Sequence, residues 1–476
     1  MTLIGFAFFL LIFVVVGLSA IRKSRGHRQD YYVASRSMSA WLVGLSAVAT
    51  NNSGYMFIGV IGYTYATGLA SVWLMVGWIL GDFLASLLIH RRIREHAEVS
   101  GEVSYLGLLS HWGGVRYKIF QRIAAVISMV LLLAYAGAQL VAGGKALHVL
   151  FDWPLWSGAV LGSILVAAYC FAGGIRASIW TDAVQSVVMI TAMAALLLVA
   201  TANAGGVEAA VEQMDRVQGF MDWFPKDLVL PGIMGGVLFA LSWMFAGLSV
   251  AGQPHIMIRF MTLKHPQQMN WVRVWYYSWF GLFYAMTTAV GMLCRIYLPD
   301  AGSFDQELAL PIMAQKLFPP VLVGLVLAGI FAATLSTADS LILSCSSAFT
   351  HDLLPHRIEN LKLLKLTTIC MTILALFWAL TNSQSVFALV ILAWSGMASA
   401  YVPLLLVWVM GRKPSQGLAI GMMISGLLAA LFWRWLGWQD AVYEGMPGIL
   451  CGLSIYVIGT FWTKFNPIQV ETPELD

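Results

Sequence analysis

Windows of about 20 mostly apolar residues, each long enough to cross a bilayer as a helix, recur along the whole of this chain. Lipid offers no partner to a backbone N–H or C=O, so each crossing must satisfy its own hydrogen bonds. The chain is therefore read as an all-α, polytopic integral membrane protein. Thirteen apolar segments are expected, at 3–21, 40–66, 70–90, 121–149, 155–174, 178–202, 229–253, 272–297, 319–345, 362–381, 385–410, 415–436 and 446–463. Composition agrees: 59% of the residues are hydrophobic and 11% charged, where a soluble domain carries about 25% charged residues.

The basic residues set an orientation. Arg22, Lys23, Arg25 and Arg28 follow the first segment, and Arg91, Arg92 and Arg94 the third. Arg116, Lys118 and Arg122 precede the fourth. Arg259, Lys264 and Arg273 follow the seventh, Arg357, Lys362 and Lys365 the ninth, and Arg412 and Lys413 the eleventh. All fall on one side if the N-terminus is outside and the C-terminus cytoplasmic, as the positive-inside rule asks of a plasma (inner) membrane protein. The net charge of +4 is small and scattered, so no nucleic-acid partner is expected. Five cysteines lie singly in or beside apolar segments, with neither metal-ligand spacing nor a disulfide framework. The first segment lacks a basic start and a small-residue cleavage site and is read as a retained span. The loops 203–228 and 298–318 are the largest external ones; each holds an amphipathic stretch, such as 207–217, expected as a surface helix. The tail after Lys464 is short and acidic, and no fused sensor or catalytic module is expected.

Polar residues at bilayer depth are costly and mark function. The second segment carries Thr50-Asn51-Asn52-Ser53-Gly54 at its centre, with apolar sequence on both sides. Irregular backbone at that depth must be buried in protein or line a cavity, and discontinuous helices are how secondary transporters hold solute and coupling ion. The seventh segment offers a second break, where Gly247, Gly252 and Pro254 weaken the helix and Pro254 removes a backbone donor. Trp243, Phe245 and Ser249 precede it as candidate pocket walls, and His255 just beyond is expected to make a structural hydrogen bond. The second break lies five spans after the first. An odd number inverts the second unit relative to the first, which is the layout of an inverted repeat.

The ninth segment, from Phe331 to Ser340, is dense in hydroxyls. Ser336, Asp339 and Ser340 share one helical face, with Ala333 on the same face. Hydroxyls facing the freed carbonyls of a broken helix supply the oxygen ligands that a hard cation needs. Asp82 is expected to pair with a basic residue near the cytoplasmic side. Asp182 is either a salt-bridge partner or a cation ligand.

Five motifs then occur in order. Asp30-Tyr31-Tyr32-Val33-Ala34-Ser35-Arg36-Ser37 precedes the first break. Ala172-Gly173-Gly174-Ile175-Arg176-Ala177-Ser178-Ile179-Trp180-Thr181-Asp182 opens the sixth span. Gly252-Gln253-Pro254-His255-Ile256-Met257-Ile258-Arg259-Phe260-Met261 follows the second break. Ser336-Thr337 is followed by Ser346-Ser347 and Asp352-Leu353, and Ala393-Trp394-Ser395-Gly396 lies in the eleventh span. Together they resemble the sodium/solute symporter family, closest to its bacterial sodium/proline branch. The resemblance implies a leucine-transporter-type core of two inverted five-helix repeats. It divides the chain into 1–39, 40–202, 203–411 and 412–476. It also implies a sodium site at the carbonyls of Ala49, Asn52 and Ala333 and the hydroxyls of Ser336 and Thr337. A second cation site would use Asp182, Ser336 and Ser340, with Asp339 beside them. Solute contacts are expected from Asn51, Ser53, Gly54, Tyr135, Gln139, Trp243, Ser249, Gln253 and Trp394. Three positions depart from the proline pattern. Asn51 stands where proline symporters keep Asp, and Ala246 and Val250 stand where they keep Trp and Tyr.

The function so implied is sodium-driven import of a small organic solute, proline first. A symporter for a small carboxylate and a membrane solute sensor are the alternatives. Neither enzymatic activity nor a cofactor is expected; sodium, a small solute and the lipid bilayer are the expected partners.

Overall fold

Twelve helical stretches among the described residues are long and apolar enough to cross a membrane. The structure is a computed structural model that describes residues 1–23, 25–300, 302–356, 358–381 and 385–465. Arg357 and the acidic tail from Asn466 onward lie outside the described residues. One stretch, Ala40–Ser100, has 61 residues. As a straight helix it would run about 90 Å, three times the thickness of a hydrocarbon core. It folds back instead at Gly68, whose φ of 66° lies in the left-handed region that favours glycine. A Cβ there would come within 2.0 Å of the Phe220 carbonyl, which accepts the Leu69 N–H at 2.8 Å. Counted as two crossings, this stretch brings the total to thirteen, in register with the apolar segments of the sequence.

Both breaks are present. In the second span, Ser53 leaves the helical conformation (φ 19°, ψ 178°), and a π-helical turn, Met56–Val60, follows. In the seventh, helix Gly232–Leu248 tightens into a 3-10 turn, Ser249–Gly252. Gln253 is then extended, and Pro254 opens the short helix Pro254–Met261, the position where its missing N–H is not needed. The loops 203–228 and 298–318 carry the short helices Val207–Asp215 and Ala309–Leu317.

The ninth span (Pro320–Leu353) and the eleventh (Val386–Val409) form the centre, each 89% buried over its most apolar window. The first (Thr2–Lys23) and last (Gly445–Trp462) are 22% buried and present Phe8, Leu11, Val457 and Ile458 outward, as lipid-facing helices do. Spans three and seven meet through glycines. A Cβ on Gly81 would reach 1.9 Å from the Met244 carbonyl, and one on Gly247 would reach 2.0 Å from that of Trp78. This close approach sets Trp78 beside the second break.

The first motif is structural. Asp30 is 2% exposed and accepts from Arg176 Nη2 at 2.5 Å, Arg25 N at 2.8 Å and Ser35 Oγ at 2.8 Å. Burial pushes its carboxyl up, but the Arg25 N–H, the Arg176 guanidinium and the Ser35 hydroxyl outweigh that and hold it below the usual carboxylate range. A depressed folded-state pKa gives stability that is complete above the unfolded value of about 4. That stability is lost as pH falls through the folded value. Asp30→Asn would leave Arg176 buried and unpaired, costing about 3–5 kcal/mol. It is expected to lower the thermal midpoint in detergent at neutral pH, with the gap to wild type closing in acid. A gap that persists unchanged into acid would refute this.

Candidate functional site

The second and ninth spans are stitched together at the first break. Ser336 Oγ donates to the carbonyls of Ala49 at 3.3 Å and Ala333 at 3.0 Å. Thr337 Oγ1 donates to the Thr50 carbonyl at 2.9 Å. Thr50 Oγ1 lies 3.3 Å from Ser340 Oγ and 3.4 Å from the Ser336 carbonyl. Every one of these side chains is fully buried. Asn52 turns its amide nitrogen back to the Val48 carbonyl at 2.8 Å, and its Oδ1 has no hydrogen-bond partner among the described residues. Carbonyl and hydroxyl oxygens are the donor set of a hard cation. The structure thus joins Ala49, Ala333, Ser336 and Thr337, adds Thr50, and leaves Asn52 one turn along with a free oxygen.

The residues expected at a second cation site also meet, but around a guanidinium. Asp182 Oδ2 accepts from Ser46 Oγ at 2.6 Å and Arg259 Nη2 at 3.1 Å. Asp339 Oδ1 accepts from Ser178 Oγ at 2.8 Å and Ser340 Oγ at 2.9 Å, with Arg259 Nη2 at 3.9 Å. Arg259 further donates to Ser46, Ser178 and Ser340. Asp182 Oδ1 and Asp339 Oδ2 have no hydrogen-bond partner among the described residues. Arg259 therefore does not belong with the loop cations that set the orientation. It is fully buried and points into the bundle from the helix after Pro254. Its spacing of four from His255 was the available signal, since i and i+4 share a face.

Asp82 likewise differs from expectation. It is fully buried, and its hydrogen bonds come from Asn51 Nδ2 (3.1 Å), Tyr276 OH (2.7 Å) and Tyr277 OH (2.8 Å), not from an arginine. Asn51 also reaches Tyr276 OH at 2.5 Å, so its side chain is turned toward spans three and eight.

The expected solute contacts divide. At the break, Gly54 N donates to Gln139 Oε1 at 2.8 Å, and Tyr135 OH lies 3.4 Å from Ser53 Oγ. Gly54 is required there, because a Cβ would fall 2.5 Å from Thr334 Cγ2. Gln253 Nε2 donates to the Trp394 carbonyl at 2.9 Å, and Trp394 Nε1 to that of Ala246 at 2.9 Å. Trp243 and Ser249 face elsewhere: Trp243 stacks on Tyr443 with ring centroids 6.1 Å apart, and Ser249 Oγ lies 3.1 Å from Tyr443 OH. Three aromatic rings not anticipated from the sequence pack beside Trp394. Trp78 sits 5.2 Å from Trp394 and 5.8 Å from Tyr55, and Tyr55 stacks on Phe387 at 5.3 Å. His255, expected to make a structural hydrogen bond, makes none through its ring among the described residues.

A small cavity lined by Tyr32, Ser104, Tyr105, Arg259, Ser340 and Asp352 lies beside Arg259. Glu307 ties down the loop between the eighth and ninth spans. It accepts from Lys145 Nζ at 2.5 Å, Ser385 Oγ at 2.7 Å and Phe387 N at 2.9 Å.

The sequence model of the sodium:solute symporter family matches residues 31–426. Sodium/proline symporters from Staphylococcus aureus strains USA300 / TCH1516 and JH9 are each 28% identical over 493 aligned positions, covering 99% of this chain and 94% of theirs. Among solved structures, a Na+-coupled sialic acid symporter in a substrate-bound outward-open state superposes with a TM-score of 0.80. The two are 18% identical, over 97% of this chain and 98% of the other. A nucleobase-cation-symport-1 family transporter, Mhp1, in a closed conformation gives 0.58 at 13% identity, over 93% and 96%. The fold is that of the leucine-transporter-type sodium symporters.

Proposed function

This chain belongs to the sodium:solute symporter family, and we propose that it imports a small amino acid, proline first among candidates, on a sodium gradient. Its family and similar structures are sodium-coupled transporters. Proline comes from the relatives and carries less weight, because Asn51 is turned to Asp82 and Ala246 and Val250 shape the seventh-span wall. The observation that carries the reading is the oxygen cluster across the break: Ser336 and Thr337 of the ninth span reach carbonyls 49 and 50 of the second. A sodium ion taking Ala49, Asn52 and Ala333 carbonyls and both hydroxyls would tie one bundle to the other. It would thereby order Ser53 and Gly54, where the solute meets Tyr135, Gln139 and Trp394. Gln253 buttresses this wall, holding the Trp394 carbonyl.

At the second candidate site, built by Asp182, Asp339 and Ser340, Arg259 supplies the positive charge, so we assign the coupling ion to the break. The basic face is assigned to the cytoplasm by the positive-inside rule. The closure under Glu307 is then external. Rocking of one bundle against the other would alternate access. One charge crossing 100 mV supplies about 2.3 kcal/mol, enough for about fifty-fold accumulation of a solute without net charge.

The test is uptake by proteoliposomes offered radiolabelled amino acids and small carboxylates, with and without an inward sodium gradient. Accumulation of an amino acid that collapses without the gradient is expected. Equal uptake in both conditions would overturn sodium coupling.

A further inference from the structure

We infer that His255 contacts the solute directly, and that the solute is a zwitterion whose carboxylate the imidazole hydrogen-bonds. The inference rests on the amino-acid reading above and narrows it. His255 is fully buried, and neither ring nitrogen has a hydrogen-bond partner among the described residues. A neutral imidazole carries one N–H donor and one acceptor, and leaving such groups unmet in a protein interior is costly. Packing alone does not explain the residue, because a phenyl ring would fill the space without that cost.

Its surroundings point to the solute. Extended Gln253 and Pro254 place His255 in the first turn of the helix after the break. Its ring meets the Tyr135 ring edge-on at 5.5 Å and that of Trp394 at 6.5 Å. Tyr135 reaches Ser53 at the other break. Gln139, on the same face of the fourth span one turn along, spends Oε1 on Gly54 N and keeps an unpartnered Nε2. Two unmet polar groups, from spans four and seven, thus flank the broken second span.

The groups gathered here also select by charge. A hydroxyl (Ser53), a phenol (Tyr135), an amide (Gln139), an imidazole (His255) and an indole (Trp394) offer no fixed counter-charge. Arg259, one turn beyond His255, is committed to Asp182, Ser46, Ser178 and the His255 carbonyl. A net anion finds no cationic side chain in this set. A zwitterion brings its own balance, its carboxylate taking the imidazole and Gln139 N–H and its ammonium lying against the aromatic faces.

The experiment is uptake by the full chain in proteoliposomes with L-proline and an amino-acid panel, each tested against its carboxamide and against small carboxylates. His255→Phe is expected to raise the KM of the transported amino acid about tenfold or more and to erase the wild-type preference for acid over carboxamide. The sodium concentration for half-maximal uptake should stay where it is. His255→Gln, which keeps an N–H, should recover part of the preference. An unchanged KM with the preference intact in His255→Phe overturns the inference while leaving amino-acid symport standing. If that variant does not fold, His255→Met is read the same way. Wild type that accumulates a small carboxylate and no amino acid overturns both.

Discussion

Alanine at Ser336 or at Thr337 is expected to raise the sodium concentration for half-maximal uptake about ten- to a hundredfold. Alanine at both should leave no sodium-driven accumulation. Each hydroxyl already lies within 3.3 Å of a carbonyl of the broken second span, so each is placed to act with those carbonyls on one small cation. Losing a hydrogen-bonding or ligating group to a charged partner costs about 1.5–3 kcal/mol, and each 1.4 kcal/mol is a factor of about ten. The solute KM measured at saturating sodium should move far less, because the hydroxyls of Ser336 and Thr337 go to the carbonyls of Ala49, Ala333 and Thr50 and not to Tyr135, Gln139 or Trp394. The swaps Ser336→Thr and Thr337→Ser keep an oxygen at each place and should retain most of the affinity. Sodium dependence identical to wild type in both alanine variants would sink the site.

The spans, their number and both breaks were legible in the sequence for one physical reason. Lipid makes each crossing satisfy its own backbone, so length and hydropathy are nearly sufficient, and a polar run or a Gly–Pro cluster at depth stands out. Direction around the helix axis is what hydropathy does not carry. Asn51 and Ser53 are two residues apart, and one turns to Asp82 and Tyr276 and the other to Tyr135, because positions i and i+2 lie about 200° apart around a helix axis. Trp243 and Ser249 precede the second break as expected, but the loop before the thirteenth span brings Tyr443 up to meet them. Arg259 reads as one more loop cation until the fold sets it against Asp182, 77 positions away. Partners that remote leave no local pattern. The ninth-span hydroxyls were legible because their spacing alone puts them on one face, and the neighbouring break told which face mattered.

Arg259→Gln is expected to be the most damaging single change in this region, losing transport and about 3–5 kcal/mol of stability. That is the usual cost of removing one partner from a buried ion pair. The guanidinium is fully buried and is the cation that Asp182 and Asp339 face. Without it two carboxylates would share a water-poor space with only the hydroxyls of Ser46, Ser178 and Ser340 around them. The cost then lies in uncompensated charge, not in lost packing, and that makes the prediction specific. Adding Asp182→Asn or Asp339→Asn to Arg259→Gln should recover part of the lost stability, whereas either acid substitution on the wild-type background should be destabilising. Thermal unfolding of the purified proteins in detergent measures all four corners of each cycle. If the losses simply add, with no rescue from neutralising an acid, the pair does not interact through charge. Arg259 would then be a packing residue and not the fixed cation of the bundle.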